Sequence, residues 1–177
     1  MTTMSTRFRR PSPRSADAPC RVAVGADHGG FTLKAKVIIL LTDLGYAVAD
    51  LGTHNPEPCD YPRIAYKVAT AVASGRFDRG VLLCKSGVGM AIAANKVPGI
   101  RAGVCQTPFD AARSRAHNDA NVLVLGAEHL PVAAMIRIAR RWFATPFEAG
   151  GRHERRVQQV AAMERQLMAA GRRHRKG

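Results

Sequence analysis

The stretch Val81-Leu82-Leu83-Cys84-Lys85-Ser86-Gly87-Val88-Gly89-Met90-Ala91-Ile92-Ala93-Ala94-Asn95-Lys96 decides the architecture. Its apolar Val/Leu run reads as a buried strand, which stops at a small, polar, Gly-containing turn opening an Ala-rich helix. Such a unit belongs in an open parallel sheet, where ligands bind outside the carboxyl ends of the strands. The backbone N–H groups of Ser86, Gly87, Val88, Gly89 and Met90 then point out of a helix N-terminus, toward any anion placed there. Cys84 reads as the first residue after the strand. A thiol at the positive end of a helix dipole is favoured as thiolate, so Cys84 is a candidate base or nucleophile.

Upstream, Arg21 to Ala26 is a short β-type run, followed by the loop Asp27-His28-Gly29-Gly30 and a helix from Phe31. In that helix Leu33, Val37, Leu40, Leu41 and Leu44 recur at three- and four-residue steps until Gly45 ends it. Tyr46 to Leu51 is a second strand, and strand–helix–strand implies a right-handed parallel unit. Gly52 to Pro62 is a loop and Ile64 to Ser74 a helix stopped by Gly75. Downstream come strand Ile100 to Cys105, helix Pro108 to Ala116, strand Asn121 to Leu125 and helix Pro131 to Ala144, with Pro131 suited to the first turn.

This alternation predicts an α/β fold: a three-layer α/β/α sandwich around a five-stranded parallel sheet, Rossmann-like, with an extra C-terminal helix from about Gly151 to Ala170. The last helix has an apolar stripe of Val157, Val160, Ala161, Met163 and Leu167 that calls for a partner surface, for which a second subunit is a candidate. Residues 1–20 read as a disordered basic leader, 21–157 as the α/β domain, and 158–177 as the end of the last helix and a basic tail. The loop Ala26 to Gly30 does not match G-x-G-x-x-G, which argues against a dinucleotide site.

Composition narrows the functional classes. The chain has 177 residues and 46% hydrophobic content, enough for one core without staples. Cys20, Cys59, Cys84 and Cys105 form no C-x-x-C pair or His/Cys cluster at ligand spacing, so no structural metal site is expected. They read as reduced thiols of a cytoplasmic protein. The Arg-rich, acid-poor leader also resembles an organellar transit peptide, although two prolines interrupt any helix there. No apolar run approaches the ~20 residues of a membrane span. Half of the formal charge of +14 lies in the two tails, and their near-total lack of aromatic residues argues against a dedicated nucleic-acid arm.

Several separated motifs, in order, carry a resemblance. They are Gly25-Ala26-Asp27-His28-Gly29-Gly30-Phe31, Leu51-Gly52-Thr53, Asp60-Tyr61-Pro62, the Cys84 to Lys96 stretch with Pro98-Gly99-Ile100-Arg101-Ala102, His117-Asn118-Asp119-Ala120-Asn121, and Gly150-Gly151-Arg152-His153-Glu154-Arg155-Arg156-Val157. Over residues 21 to 160 the chain resembles the type B ribose-5-phosphate isomerases and the related galactose-6-phosphate isomerase subunits.

The resemblance implies aldose–ketose isomerisation of a sugar phosphate through a cis-enediolate, without metal or organic cofactor. Cys84 matches the base that carries a proton between C2 and C1, and Ser86 the hydroxyl that moves a proton between O1 and O2. The amides of Ser86 to Met90 are suited to the developing oxyanion. His117, with Asp27 nearby, matches the pair that opens the sugar ring. Read without the resemblance, His117 is more often a helix-end residue satisfied by backbone, and Asp27 an N-cap of the first helix, a role compatible with a catalytic one.

Arg152 and Arg156, four apart on one helix face, match phosphate-holding arginines; alone they would read as a solvated basic face. His28 is placed to assist on the phosphate side, and Tyr61 and Asn118 match further pocket residues, with a buried structural tyrosine as the alternative for Tyr61. The family builds its sites between subunits, so a homodimer or homotetramer is implied.

Two departures stand out. Lys85 follows the cysteine where many relatives have Gly, which raises the question of whether that position needs positive φ. If it does not, the ammonium sits beside the site and joins the candidate substrate-binding residues. Glu128 stands where relatives often carry a phosphate-binding Arg. The expected reaction is ribose 5-phosphate to ribulose 5-phosphate; a tetrose or hexose phosphate is the alternative. A noncatalytic nucleic-acid-binding or regulatory protein on the same scaffold is the competing class.

Overall fold

The computed structural model describes residues 18–174. The leader reading of residues 1–20 therefore lies almost wholly outside the described residues, as does the end of the basic tail. Five strands, β1 (Arg21–Ala26), β2 (Ala47–Asp50), β3 (Arg79–Cys84), β4 (Ala102–Val104) and β5 (Val122–Gly126), alternate with α1 (Phe31–Asp43), α2 (Tyr61–Ala73), α3 (Val88–Ala94), α4 (Pro108–Asn118) and α5 (Val132–Ala144); α6 (Gly151–His174) follows. The strands form one sheet in the order β2-β1-β3-β5-β4, all pairs parallel. This is the expected three-layer sandwich. Among the described residues no helix is long and apolar enough to cross a membrane.

The two-residue period of the strands divides the core. Val22, Val24, Val81, Leu83, Leu123 and Leu125 turn to one face, against α1 and α5 residues such as Leu41, Ile138 and Trp142. Ala23, Leu82, Cys84, Val122 and Val124 turn to the other, against Val68 of α2 and Met90 and Ala94 of α3. Leu82 and Leu83 are fully buried, each contributing about 1.5–3 kcal/mol of hydrophobic stabilisation. Cys84, expected just beyond the strand, is its last residue, because it pairs in register with Gly126 of β5, and it thus faces the α2/α3 layer.

Several boundaries differ from expectation. Helix α2 starts at Tyr61 rather than Ile64, because Pro62 fits the first helical turn, where its missing N–H is no loss. Pro131 is the N-cap of α5, outside the helix rather than in its first turn. Helix α4 runs past Ala116 to Asn118 and ends on Asp119, which holds φ +46° as the C-cap. Two guanidiniums hold it there: Arg101 Nη2 and Arg115 Nη1 each donate to an Asp119 carboxylate oxygen at 2.7 Å. Strand β4 covers only Ala102–Val104 of the expected Ile100 to Cys105.

Candidate active site

The chain leaves β1 toward β2 on one side and returns to β3 on the other, so the strand order reverses between β1 and β3. Ligands of open parallel sheets bind at such a switch point, outside the carboxyl ends. The loops there are Asp27–Gly30 and Lys85–Gly87, which puts Asp27, His28, Cys84, Lys85 and Ser86 at one crevice.

Cys84 is 6% exposed, and its Sγ accepts a hydrogen bond from the Gly87 N–H at 3.1 Å. Gly87 holds φ +84° as N-cap of α3, a conformation that aims its amide back at the sulfur. A Cβ at Gly87 would also press to 3.2 Å of Val104 Cγ1. The Val88 N–H donates to Ser86 Oγ at 3.4 Å. The amides of Gly87 and Val88, expected to face an anion, are therefore engaged inside the turn, while Gly89 and Met90 lie in the first turn of α3, whose amides lack intrahelical acceptors. The Met90 side chain is buried in the core.

Asp27 is 6% exposed, and its Oδ1 accepts from the amides of Gly29 at 2.9 Å and Gly30 at 3.1 Å. The N-cap of α1 is Gly30, so Asp27 orders the approach to the helix rather than capping it directly. His28 Nδ1 accepts from the Cys59 N–H at 3.3 Å, which leaves Nε2 to carry the proton of a neutral ring. The ring lines a cleft of about 840 Å³ together with Gly52, Thr53, Asp60, Arg63 and Lys67. Arg63 and Lys67, one helical turn apart on α2, had no motif to single them out.

Tyr61 lies over the first turn of α3: a Cβ on Gly89 would sit 2.7 Å from Tyr61 Cζ. The question of Lys85 is answered by its backbone. Asp119 is the one non-glycine residue with positive φ among the described residues, so Lys85 is accommodated without left-handed strain. Its stem crosses Gly29, where a Cβ would come within 2.6 Å of Lys85 Cγ. Glu128 is exposed, and its N–H donates to Lys85 O at 3.0 Å.

The remaining candidates gather elsewhere. Helices that follow parallel strands run back toward the amino edge of the sheet, so His117 and Asn118, ending α4, lie at the edge opposite Cys84. Within one chain the structure does not bring His117 to Asp27, so their expected neighbourhood would have to form between subunits. His117 instead stacks on His153 of α6 with ring centroids 3.8 Å apart and planes 9° from parallel. Glu148 Oε2 lies 3.9 Å from His117 Nε2 and 3.8 Å from His153 Nε2, and Arg113 Nη1 is 3.1 Å from His117 Nε2. Burial foremost, then the charges of His117 and Arg152, holds the His153 imidazole below its ordinary value.

His117, Glu148 and His153 offer ligand atoms within 4.8 Å of one another. Parallel imidazoles cannot aim their in-plane lone pairs at one point, so holding a cation would require a ring to turn. Arg152 Nε approaches His153 Nε2 at 3.5 Å, and Arg156 shares a groove with Asn118, Val157 and Glu164. Both arginines are exposed. Glu148 and Arg113 stand in none of the sequence motifs, and His153 lies in the Gly150 to Val157 motif beside the arginines, with no role of its own implied there. No local period joins positions so far apart in the chain.

The sheet, the switch-point crevice and its buried thiol define the α/β class of sugar-phosphate isomerases. The Ribose/Galactose Isomerase family matches residues 22–160. Ribose-5-phosphate isomerase B of Escherichia coli is 45% identical over 144 residues, 81% of this chain and 96% of that protein. D-erythrulose-4-phosphate isomerase of Pectobacterium atrosepticum is 39% identical, covering 73% of this chain and 86% of that one. The crystal structure of ribose-5-phosphate isomerase B from Mycoplasma genitalium with bound ribulose-5-phosphate superposes with a TM-score of 0.78 at 35% identity, covering 82% of this chain and 96% of that one. The chain belongs to the ribose/galactose isomerase family and is a sugar-phosphate isomerase.

Proposed function

We propose that the protein interconverts ribose 5-phosphate and ribulose 5-phosphate, with residues 21–157 as its isomerase domain. The observation that carries this reading is Cys84, a buried thiol at the carboxyl end of the central strand with an N–H directed at its sulfur. In the open-chain aldose, the Cys84 thiolate takes the proton from C2, and the electron pair left behind forms the C1–C2 double bond of the enediolate. Ser86 passes a proton between O1 and O2, and the Cys84 thiol returns its proton to C1, giving the ketose with no redox partner. Donors in the first turn of α3, at Gly89 and Met90, stabilise the oxyanion.

Ring opening requires His117, acting with Asp27, to move the ring-hydroxyl proton. Arg152 and Arg156 hold the phosphate, assisted by His28 and Lys85. Tyr61 and Asn118 line the pocket. Because His117, Asn118, Arg152 and Arg156 stand away from Cys84 in one chain, the working unit pairs two copies, each completing the other's site. The exposed apolar residues Val160, Met163 and Leu167 of α6, 56%, 63% and 74% accessible, support that pairing.

The test is steady-state isomerisation of ribose 5-phosphate beside tetrose and hexose phosphates, with Cys84→Ala as control. Preference for ribose 5-phosphate and loss of turnover in Cys84→Ala are expected. A higher kcat/KM on a tetrose phosphate, the size class in the Pectobacterium relative's name, would reassign the substrate.

A further inference from the structure

The amino edge of the sheet holds a further cavity, of about 480 Å³, lined by Cys20, Tyr46, Arg79, Arg115, Trp142 and Phe143 among others. None of these residues enters the isomerase chemistry. The polar groups best placed to meet a ligand are donors. Arg115, 5% exposed, sits in the last turn of α4, with Nη1 donating to Asp119 Oδ1 and Ala120 O, both at 2.7 Å. Arg79 opens β3, and its Nη1 donates to Asp78 O at 3.0 Å. Trp142 is fully buried, yet its indole N–H has no hydrogen-bond partner among the described residues.

An indole donor buried without an acceptor is costly, and native structures rarely leave one so. Burial foremost, followed by repulsion from Arg115, holds the Arg79 guanidinium below its ordinary value. An anion between the two guanidiniums would relieve the second condition. The walls are aromatic: Phe143 tilts against Tyr46 at 4.8 Å between centroids and meets Trp142 edge-on at 4.9 Å. Arg115 also stacks its guanidinium 5.4 Å from the Trp142 ring.

We propose that this cavity binds a small organic oxyanion with a flat apolar body, an aryl carboxylate or aryl phosphate, at a site separate from the isomerase centre. The oxyanion bridges Arg79 and Arg115, while the ring of the ligand lies against Tyr46 and Phe143.

Trp142 is the single tryptophan of the chain, so its fluorescence reports this site. The full-length protein is titrated with phenyl phosphate, benzoate, inorganic phosphate and benzyl alcohol. A saturable change with at least one aryl oxyanion, a weaker one with inorganic phosphate and none with benzyl alcohol are expected. Arg79→Gln should weaken binding about tenfold or more, with far-UV circular dichroism unchanged. If that variant does not fold, Arg79→Lys, which keeps the charge and loses the fork, should still weaken binding several-fold.

Cys84→Ala should leave the Kd unaltered, so the proposal stands or falls independently of the isomerase reading. No saturable change with either aryl oxyanion, an equal response to benzyl alcohol, or unaltered affinity in the Arg79 variant overturns the site. Equal affinity for inorganic phosphate overturns the aromatic part of the ligand.

Discussion

Cys84 and His117 belong to opposite edges of one sheet. Cys84 pairs in register with Gly126, the last residue of β5, whereas His117 lies in the last turn of the helix that leads back to the first residue of β5, Val122. The rise of that strand alone separates the two levels by roughly 13 Å. The proposed proton carrier and the proposed ring-opening group, so separated, cannot share one bound sugar within a single chain.

Subunit mixing tests the consequence. Cys84→Ala and His117→Ala homo-oligomers should each be nearly inactive, with kcat reduced about 10²–10⁴-fold. Random reassortment of equal amounts into dimers should restore about one quarter of wild-type activity, since half the dimers are mixed and each mixed dimer keeps one intact site. No recovery after verified subunit exchange would show that His117 does not act across the interface.

Two glycines near the crevice should differ in their tolerance of alanine. A Cβ on Gly30 would lie 2.7 Å from the backbone of Leu83, in the central strand, whereas one on Gly89 would meet the ring of Tyr61, a 40% exposed side chain that can swing away. Gly30→Ala should lower stability by about 3 kcal/mol in urea denaturation, and Gly89→Ala by about 1 kcal/mol while raising KM. Equal destabilisation would contradict this reading of the two contacts.

The His117–His153 stack should be sensitive to acid. His153 has its folded-state pKa depressed, so the unfolded chain binds the proton more readily. Its contribution to stability is present above the ordinary histidine value and declines as pH falls below it. An NMR titration should put the His153 midpoint under 6.5, and His117→Ala should raise it by removing a like charge. A midpoint unaltered by that substitution would remove the electrostatic coupling from the account.

Cys105 should be the inert thiol. Burial pushes it up to about 11, and its Sγ lies 3.6 Å from Ser114 Oγ. At pH 8 it should resist iodoacetamide in the native protein while Cys59, in the partly exposed loop beside His28, is alkylated, as peptide mass spectrometry would read. Its raised folded pKa adds stability that is present below about pH 9 and lost as pH rises through 11. Native-state labelling of Cys105 as fast as Cys59 would contradict its burial.

The layers of the fold were legible because Val81 to Cys84 and Val122 to Leu125 are apolar beyond what a half-exposed strand allows, and because Gly45 and Gly75 punctuate the helices where left-handed backbone is needed. Helix ends were less legible where tertiary partners set them. Asp119 holds its φ through Arg101 and Arg115, and nothing local announces that clamp. Cys84, Asp27 and Lys85 share a crevice because strand termini converge there, which order along the chain implied. The association of His117 with Glu148 and His153 depends on the path of α6 back to the end of α4, a long-range packing choice with no periodic signature.

Sheet order also constrains the sequence of folding. Strand β4 hydrogen-bonds only to β5, and β5 takes the place between β3 and β4. A nascent chain that has emerged only as far as residue 120 can assemble β2, β1 and β3 but leaves the far edge of β3 open and β4 without a ladder. Arrival of Val122–Gly126 closes both at once, so the interval before it is when the bare edge of the central strand, which ends in Cys84, is most exposed to wrong pairing with another chain.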